Sequence, residues 1–431
     1  MESESLGESK MTFVAILFGL TYVCLLLFQK HRWKIALASA ALFVVLGYLP
    51  LGKVLPSIDF NVLMMIGGTM GLVSLFIDSG MPARMADLLI CRTPDVRWAV
   101  VALSVFAGVI SAFVDNVATV LMVAPVALAI SKRLNISPVG PIIAVAVSSN
   151  LQGAATLVGD TTSILLGSYA GMDFLDFFWF MGHPGIFWVV EIGALLAAAV
   201  LFLLFRREKE KVDICDVKIV RDYLPSYMLL GTVVLLILAS FIPNKPSITN
   251  GVICVTLCMV CAMIEALKNH DADRILKPVK EMDYETILLL AGLFVVIGGI
   301  TEAGLVDAIA ELFVKLGGDN IFVIYTIIVW ASVLFSAFID NIPYVATMLP
   351  VVQGMAATLG VEPYLLYFGL LVGATLGGNL TPIGASANIT AIGILRKNGY
   401  EVSARQYARI GVPLSLAAVF SGYLIIWLLW A

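Results

Sequence analysis

SAFVDNVATVLMVAP at positions 111–125 and SAFIDNIPYVATMLP at positions 336–350 are one phrase written twice, 225 residues apart. Each copy places an aspartate and an asparagine, Asp115-Asn116 and Asp340-Asn341, in the middle of a long apolar stretch. A charged side chain at the centre of a bilayer costs about 2.5–3.5 kcal/mol on insertion scales, so such residues face a cavity or a partner rather than lipid. A chain that carries the same cost twice, at matching depth, has a use for it.

The surroundings of the phrase are those of a membrane protein. The 431 residues are 60% hydrophobic and 13% charged, with a mean hydropathy of +0.99. Soluble domains run at about 45–50% apolar and about 25% charged residues. The fold class expected is an all-α polytopic membrane protein. No basic tract interleaved with aromatics points to nucleic acid. The acidic start, MESESLGESK, lacks the basic region of a secretory signal, so Met11–Phe28 reads as a retained span.

Apolar runs of span length fall near 11–29, 34–51, 60–78, 138–170, 184–206, 224–242, 248–267, 284–302, 363–396 and 410–430. That is ten spans, five in each half. Between the third and fourth span of each half lies a further apolar stretch, 97–131 and 322–359, with the phrase at its middle. The turn decides between two full crossings and a hairpin that re-enters. Two crossings meet in a polar headgroup loop, whereas Phe113-Val114-Asp115-Asn116-Val117-Ala118 is apolar around its polar pair. Non-helical backbone at membrane depth survives only inside protein or against a wet cavity. Two re-entrant hairpins with tips near the midplane are expected.

With that topology 22 of the 26 lysines and arginines fall on one side, leaving Lys10, Lys53, Lys245 and Lys315 on the other. Basic loops mark the cytoplasmic side, so both termini are expected outside and the basic linker 208–223 inside. The repeat extends beyond the phrase. Asp59-Phe60 matches Asp283-Tyr284, and the run Gly153-Ala-Ala-Thr156-Leu-Val-Gly159 matches Gly378-Asn-Leu-Thr381-Pro-Ile-Gly384. Each half crosses an odd number of times. Residues 1–207 and 224–431 are therefore expected to be inverted-topology repeats, an architecture of secondary transporters with sites at the repeat interface.

Two groups of residues carry the expected chemistry. At the tips, Asp115, Asn116, Asp340 and Asn341, with Thr119 close behind the first pair, offer hard oxygen ligands for Na⁺ or a carboxylate for a proton. The plain alternative is that each aspartate caps the helix after it. In the spans 138–170 and 363–396, paired glycines and Pro382 are expected to break the helix and expose carbonyls on one side and an N-terminal dipole on the other. This second group comprises Asn150, Gly153, Thr156, Gly159 and Asp160 in the first half and Asn379, Thr381, Gly384, Ser386 and Asn388 in the second. Close helix packing would explain the glycines alone, but not the polar cluster. The segments 80–92 and 304–316 read as amphipathic surface helices. Cys254, Cys258 and Cys261 form one helical stripe, read as packing rather than a soft-metal site. His31, His183 and His270 fall in loops, and no nucleophile and base pair up, so no enzyme is expected.

The hairpin phrase followed by GxxTxxG resembles the ion transporter superfamily over residues 30–430, in the branch of the ArsB arsenite permeases, the NhaD sodium/proton antiporters and the melanosomal P protein. More distantly it is similar to the divalent anion/sodium symporters. The resemblance implies a homodimeric elevator, with a scaffold at the dimer contact and a moving transport domain. In the dicarboxylate symporters the tips carry Ser-Asn-Thr; here they read Asp-Asn-Val and Asp-Asn-Ile, with the hydroxyls lost and a negative charge gained. The function expected is secondary active transport of a small inorganic or organic ion, coupled to Na⁺ or H⁺, in a bacterial inner membrane, with no other cofactor. Arsenite or antimonite efflux and dicarboxylate or other anion symport are the alternatives within transport, and a passive ion channel is the alternative outside it.

Overall fold

The computed structural model describes residues 2–134, 136–211, 217–318 and 320–431, with side chains from residue 10 onward. Part of the expected linker, 212–216, lies outside the described residues. The first half runs α1 (Glu2–Leu27), α2 (Arg32–Val45), α3 (Leu51–Ser57), α4 (Phe60–Asp78), α5 (Met81–Ile90), α6 (Val96–Ser111), α7 (Asn116–Arg133), α8 (Val139–Gly153), α9 (Thr161–Ala170) and α10 (Ile186–Leu204). The second runs α11 (Leu224–Ser240), α12 (Thr249–Asn269), α13 (Asp273–Glu281), α14 (Tyr284–Glu302), α15 (Leu305–Gly317), α16 (Ile321–Ser336), α17 (Asn341–Leu359), α18 (Tyr364–Leu371), α19 (Ser386–Lys397) and α20 (Ala404–Trp430). A π turn and a 3₁₀ turn carry α18 on to Leu380. The order of α-helices is the same in both halves; a 3₁₀ turn and a two-stranded hairpin, Trp179–Phe180 with His183–Pro184, stand between α9 and α10 only.

The match extends to the caps. Asp59 and Asp283 start α4 and α14 by accepting from the backbone N–H of Val62 and Thr286. Gly80 and Gly304 precede α5 and α15 at φ 75° and 74°, a left-handed turn that a side chain would strain. The two halves interlock: α4 packs along α12, and α14 along α2. At the crossings a Cβ on Gly68 would lie 2.5 Å from the backbone of Cys254, and one on Gly292 would lie 2.7 Å from that of Ala36. One on Gly71 would lie 2.7 Å from the Cys258 sulfur, so the cysteine stripe is packing against α4.

Six of the ten expected spans, α1, α4, α10, α12, α14 and α20, are single helices long and apolar enough to cross a membrane. α11 has 17 residues and α2 only 14, and two spans are broken, at 154–160 and 381–385. α7 and α17 also have span length and composition, but each starts at a hairpin tip. The opposite arms, α6 and α16, have 16 residues each. At 1.5 Å per residue they reach about 24 Å, short of a hydrocarbon core of about 30 Å. Where hairpins and amphipathic helices are expected, the chain forms the helix pairs α6–α7 and α16–α17 and the helices α5 and α15; α3 and α13, short helices leading into α4 and α14, were not expected.

Each tip is fastened to the break in the following span by the same three contacts. Thr156 donates its hydroxyl to the Ala112 carbonyl, and Thr381 donates to that of Ala337. A Cβ on Gly159 would meet the carbonyls of Gly153, Ser111 and Ala112 at 2.5–2.7 Å, and one on Gly384 those of Gly378, Ser336 and Ala337 at 2.5–2.8 Å. GxxTxxG is thus a cradle for the hairpin's last carbonyls, which have no helical partner of their own. Gly159→Ala is expected to lower the melting temperature of the detergent-solubilised protein by several degrees. Gly393→Ala, on an open face of α19 with nothing within 4 Å of the added methyl, is expected to leave it unchanged or raise it slightly.

Candidate ion-binding site

The capping expectation for the phrase holds in both copies. The Asp115 carboxylate accepts from the N–H of Val117 at 3.0 Å and of Ala118 at 3.2 Å, and that of Asp340 from Ile342 at 3.2 Å. Each aspartate therefore turns its helix out of the tip, and the asparagine after it becomes the first helical residue. Capping fills only part of a carboxylate's acceptor capacity, and what meets the remainder differs between the halves.

Asp115 faces a cavity of about 360 Å³. Both tips line it, through Asp115, Asn116 and Val117 of the first and Asn341 and Ile342 of the second, together with both breaks, through Asp160, Thr161 and Ser386. Ser74 and Asp78 of α4 with Glu281, Asp283 and Thr286 extend its wall to the face where the basic loops gather. None of its lining residues is a lysine or arginine. At the rim Lys277 pairs with Asp78.

Asp340 is turned away from that cavity. Its carboxylate takes the Arg32 guanidinium at 2.6 Å and the Ser386 hydroxyl at 2.9 Å. The side chains of Arg32 and Asp340 are 14% and 4% exposed, so the pair is screened little by solvent. Nothing in the sequence marked Arg32, which reads there as one more charge in a basic loop. Arg32 is the first residue of α2.

Behind the cavity lies a buried amide chain that joins the repeats. Asn116 donates to the Asn150 oxygen at 2.9 Å. Asn150 donates to the Thr375 carbonyl at 2.8 Å and to the Asn379 oxygen at 3.1 Å, which also accepts from Asn388 at 3.1 Å. The Thr162 and Thr375 hydroxyls meet at 3.1 Å, and Thr162 donates to Asp160 at 2.8 Å. Asn341 reaches from the second tip to Asp160 at 3.4 Å. In this assignment of amide orientation, each tip asparagine spends its N–H₂ on the network. The oxygens of Asn116 and Asn341 have no hydrogen-bond donor among the described residues. Such an arrangement presents acceptors to the cavity, as a bound cation requires.

The candidates from the sequence therefore divide. Asp115, Asn116, Asp160, Asn341 and Ser386 line the cavity. Asn150, Asn379 and Asn388 hold the lining from behind, and Gly153, Thr156, Gly159, Thr381 and Gly384 seat the tips. Thr119 is buried, with its hydroxyl 3.5 Å from the Val114 carbonyl. Asp340 is paired with Arg32. Asp283, Asp78 and Glu281 are cavity residues absent from the sequence-based candidates; of the three, only Asp283 had a signal there, its match with Asp59.

That symmetry can be read directly. A second cavity, of about 650 Å³, lies at the opposite ends of α4 and α14. It is lined by Phe294, Ile297, Gly298, Thr301 and Glu302, the repeat partners of Met70, Val73, Ser74, Ile77 and Asp78, and by Ser57 and Asp59, partners of Glu281 and Asp283. Lys53 pairs with Glu302 at its rim at 2.6 Å, as Lys277 does with Asp78. Only the first cavity reaches a tip aspartate.

The family model described as citrate transporter matches residues 22–373. The chain belongs to the citrate transporter family. It is a membrane transporter, and several of its relatives are named as transporters. An uncharacterized transporter of Mycobacterium tuberculosis is 32% identical over 97% of this chain and 98% of its own length. The 46 kDa membrane protein of Mycobacterium leprae is 31% identical over 97% and 99%. The human P protein is 27% identical over 96% of this chain and 59% of its own length. Among solved structures, the YdaH transporter of Alcanivorax borkumensis shares the fold, with a TM-score of 0.60 at 14% identity over 93% of this chain and 97% of that one. MtrF of Neisseria gonorrhoeae, described as one of a class of antimetabolite efflux pumps, gives 0.55 at 13% over 94% and 83%.

The cavity's reach gives this family member a testable sidedness. A cysteine introduced as Ser74→Cys is expected to react with a membrane-impermeant maleimide in inside-out vesicles, above the parent's background, and to stay unlabelled in right-side-out vesicles. Thr301→Cys, exposed in the second cavity, is expected to show the reverse pattern.

Proposed function

We propose that this protein is a cation-coupled secondary transporter that moves a small carboxylate anion together with Na⁺, and that Asp115 and Asp160 carry the coupling cation. The observation that supports this most is the shared cavity, where the half-buried Asp115 and the buried Asp160 stand with two amide oxygens that have no donor among the described residues, and no lysine or arginine lines the wall. A proton needs only one carboxylate, whereas this donor set suits a hard cation with several oxygen ligands. H⁺ is the alternative coupling ion.

Citrate enters the reading through the family. A free polycarboxylate is repelled by Asp115, Asp160 and Asp283, so the cation binds first and offsets their charge. The N-terminal turn of α19, with its unpaired N–H groups, then offers a place for a carboxylate. The moving body in an elevator cycle would be the two hairpins with the two broken spans, and α2, α4, α12 and α14 the scaffold through which two copies associate. The termini would lie outside and the basic loops in the cytoplasm.

A ligand that binds only the folded state raises apparent stability. Na⁺, replacing choline at constant ionic strength, is expected to raise the melting temperature of the wild type and to leave Asp115→Asn and Asp160→Asn unmoved. Citrate is expected to add a further rise only in Na⁺. An equal response in wild type and Asp115→Asn, or none in either, would contradict the assignment.

A further inference from the structure

We propose that Arg32 is a built-in cation at the second tip, so that each chain binds one mobile Na⁺, at Asp115 and Asp160, where the repeat would otherwise provide two. This rests on the reading of the tips as cation sites and adds to it their number and the residue that sets it.

The two tips are alike in backbone and cap, and each presents a carboxylate and an amide. Equivalent construction implies equivalent affinity for a cation unless something differs nearby. Two things differ. Asp160 has Ala385 as its repeat partner, so a second carboxylate stands beside the first tip only. And Arg32 holds Asp340 at 2.6 Å, whereas among the described residues no lysine or arginine contacts Asp115.

The inverted repeat shows that Arg32 is a departure from the pattern. α2 crosses α14 where Gly292 meets Ala36, and α12 crosses α4 where Gly68 meets Cys254. Four residues before these contacts stand Arg32 on α2 and Asn250 on α12. The first half therefore carries a guanidinium where the second carries a neutral amide. The guanidinium takes one oxygen of Asp340, Ser386 donates to the same oxygen, and the Ile342 N–H takes the other. Both Asp340 oxygens, the charged acceptors that a metal ion would use at that tip, are engaged by groups that cannot leave the chain. An arginine stays charged at all working pH, so this tip does not exchange its positive charge with solution during the cycle.

The experiment counts bound ²²Na⁺ by equilibrium dialysis on the purified full-length protein. Wild type is expected to bind one per chain and Asp115→Asn none. Arg32→Gln, which frees Asp340, is expected to bind two. Arg32→Gln/Asp115→Asn is expected to recover one, and adding Asp340→Asn to that pair to abolish it. Two ions on the wild type, or none on Arg32→Gln/Asp115→Asn while the wild type binds one, would overturn this proposal and leave the Asp115 site standing. No binding by the wild type would overturn the Na⁺ reading and this proposal together. If Arg32→Gln does not fold, the wild-type count decides between one and two by itself.

Discussion

Hydrocarbon accepts no unpaired backbone polar group, and this chain ends eight helices inside its own span-length segments. The ends belong to α6, α7, α16 and α17 at the tips and to the helices on either side of the two breaks. Each leaves carbonyls or N–H groups without a helical partner. The solution is local and is used twice. An aspartate caps the outgoing arm of each hairpin, and a threonine hydroxyl with a glycine from the break receives the carbonyls at the end of the incoming arm. Because tip and break satisfy each other, they can only occur together, and wherever they meet there is a cluster of polar atoms away from lipid. The binding cavity is the space left between two such clusters.

The second consequence is connection between the halves. The amide chain from Asn116 through Asn150 to Asn379 and Asn388 crosses the repeat boundary, as do the contacts of Thr162 with Thr375 and of Asn341 with Asp160. A buried network of this kind is costly if one member is lost, because its neighbours are left unsatisfied. It holds both tips against one cavity while the interlocked pairs α4 with α12 and α2 with α14 hold the surrounding frame. The symmetry is in the frame, and the departures from it are at the site: Asp160 against Ala385, Arg32 against Asn250.

Much of the frame was legible because it repeats. The Asp-Asn phrase, the GxxTxxG runs and the Asp and Gly caps recur at offsets of 224 or 225, and a repeated signal separates a hairpin or a break from chance better than either copy alone. The roles within the site were less legible. Thr156 and Thr381 look like ligands in the sequence and serve to seat the tips. Asp340 looks like the twin of Asp115; the sequence shows one difference between the tips, Asp160 against Ala385, and the placement of Arg32, 308 residues before Asp340, adds the other. Arg32 opens α2, which lies along α14, and its arrival at the tip is a tertiary fact with no local signature. Asp283 stands out in the sequence only as the repeat match of Asp59, and Asp78 as a charge at a span end, yet the cavity extends down to both.

The account turns on the two tips meeting at one polar cavity with unequal charge. A cryo-electron microscopy map of the full-length protein in nanodiscs, collected in NaCl and again in choline chloride, tests this most directly. The account predicts both tips near the midplane in both maps, with a sodium-dependent density between Asp115 and Asp160 and the Arg32–Asp340 contact closed beside it. Tips at opposite membrane faces, or a sodium-dependent density beside Asp340 with Arg32 withdrawn, would contradict it.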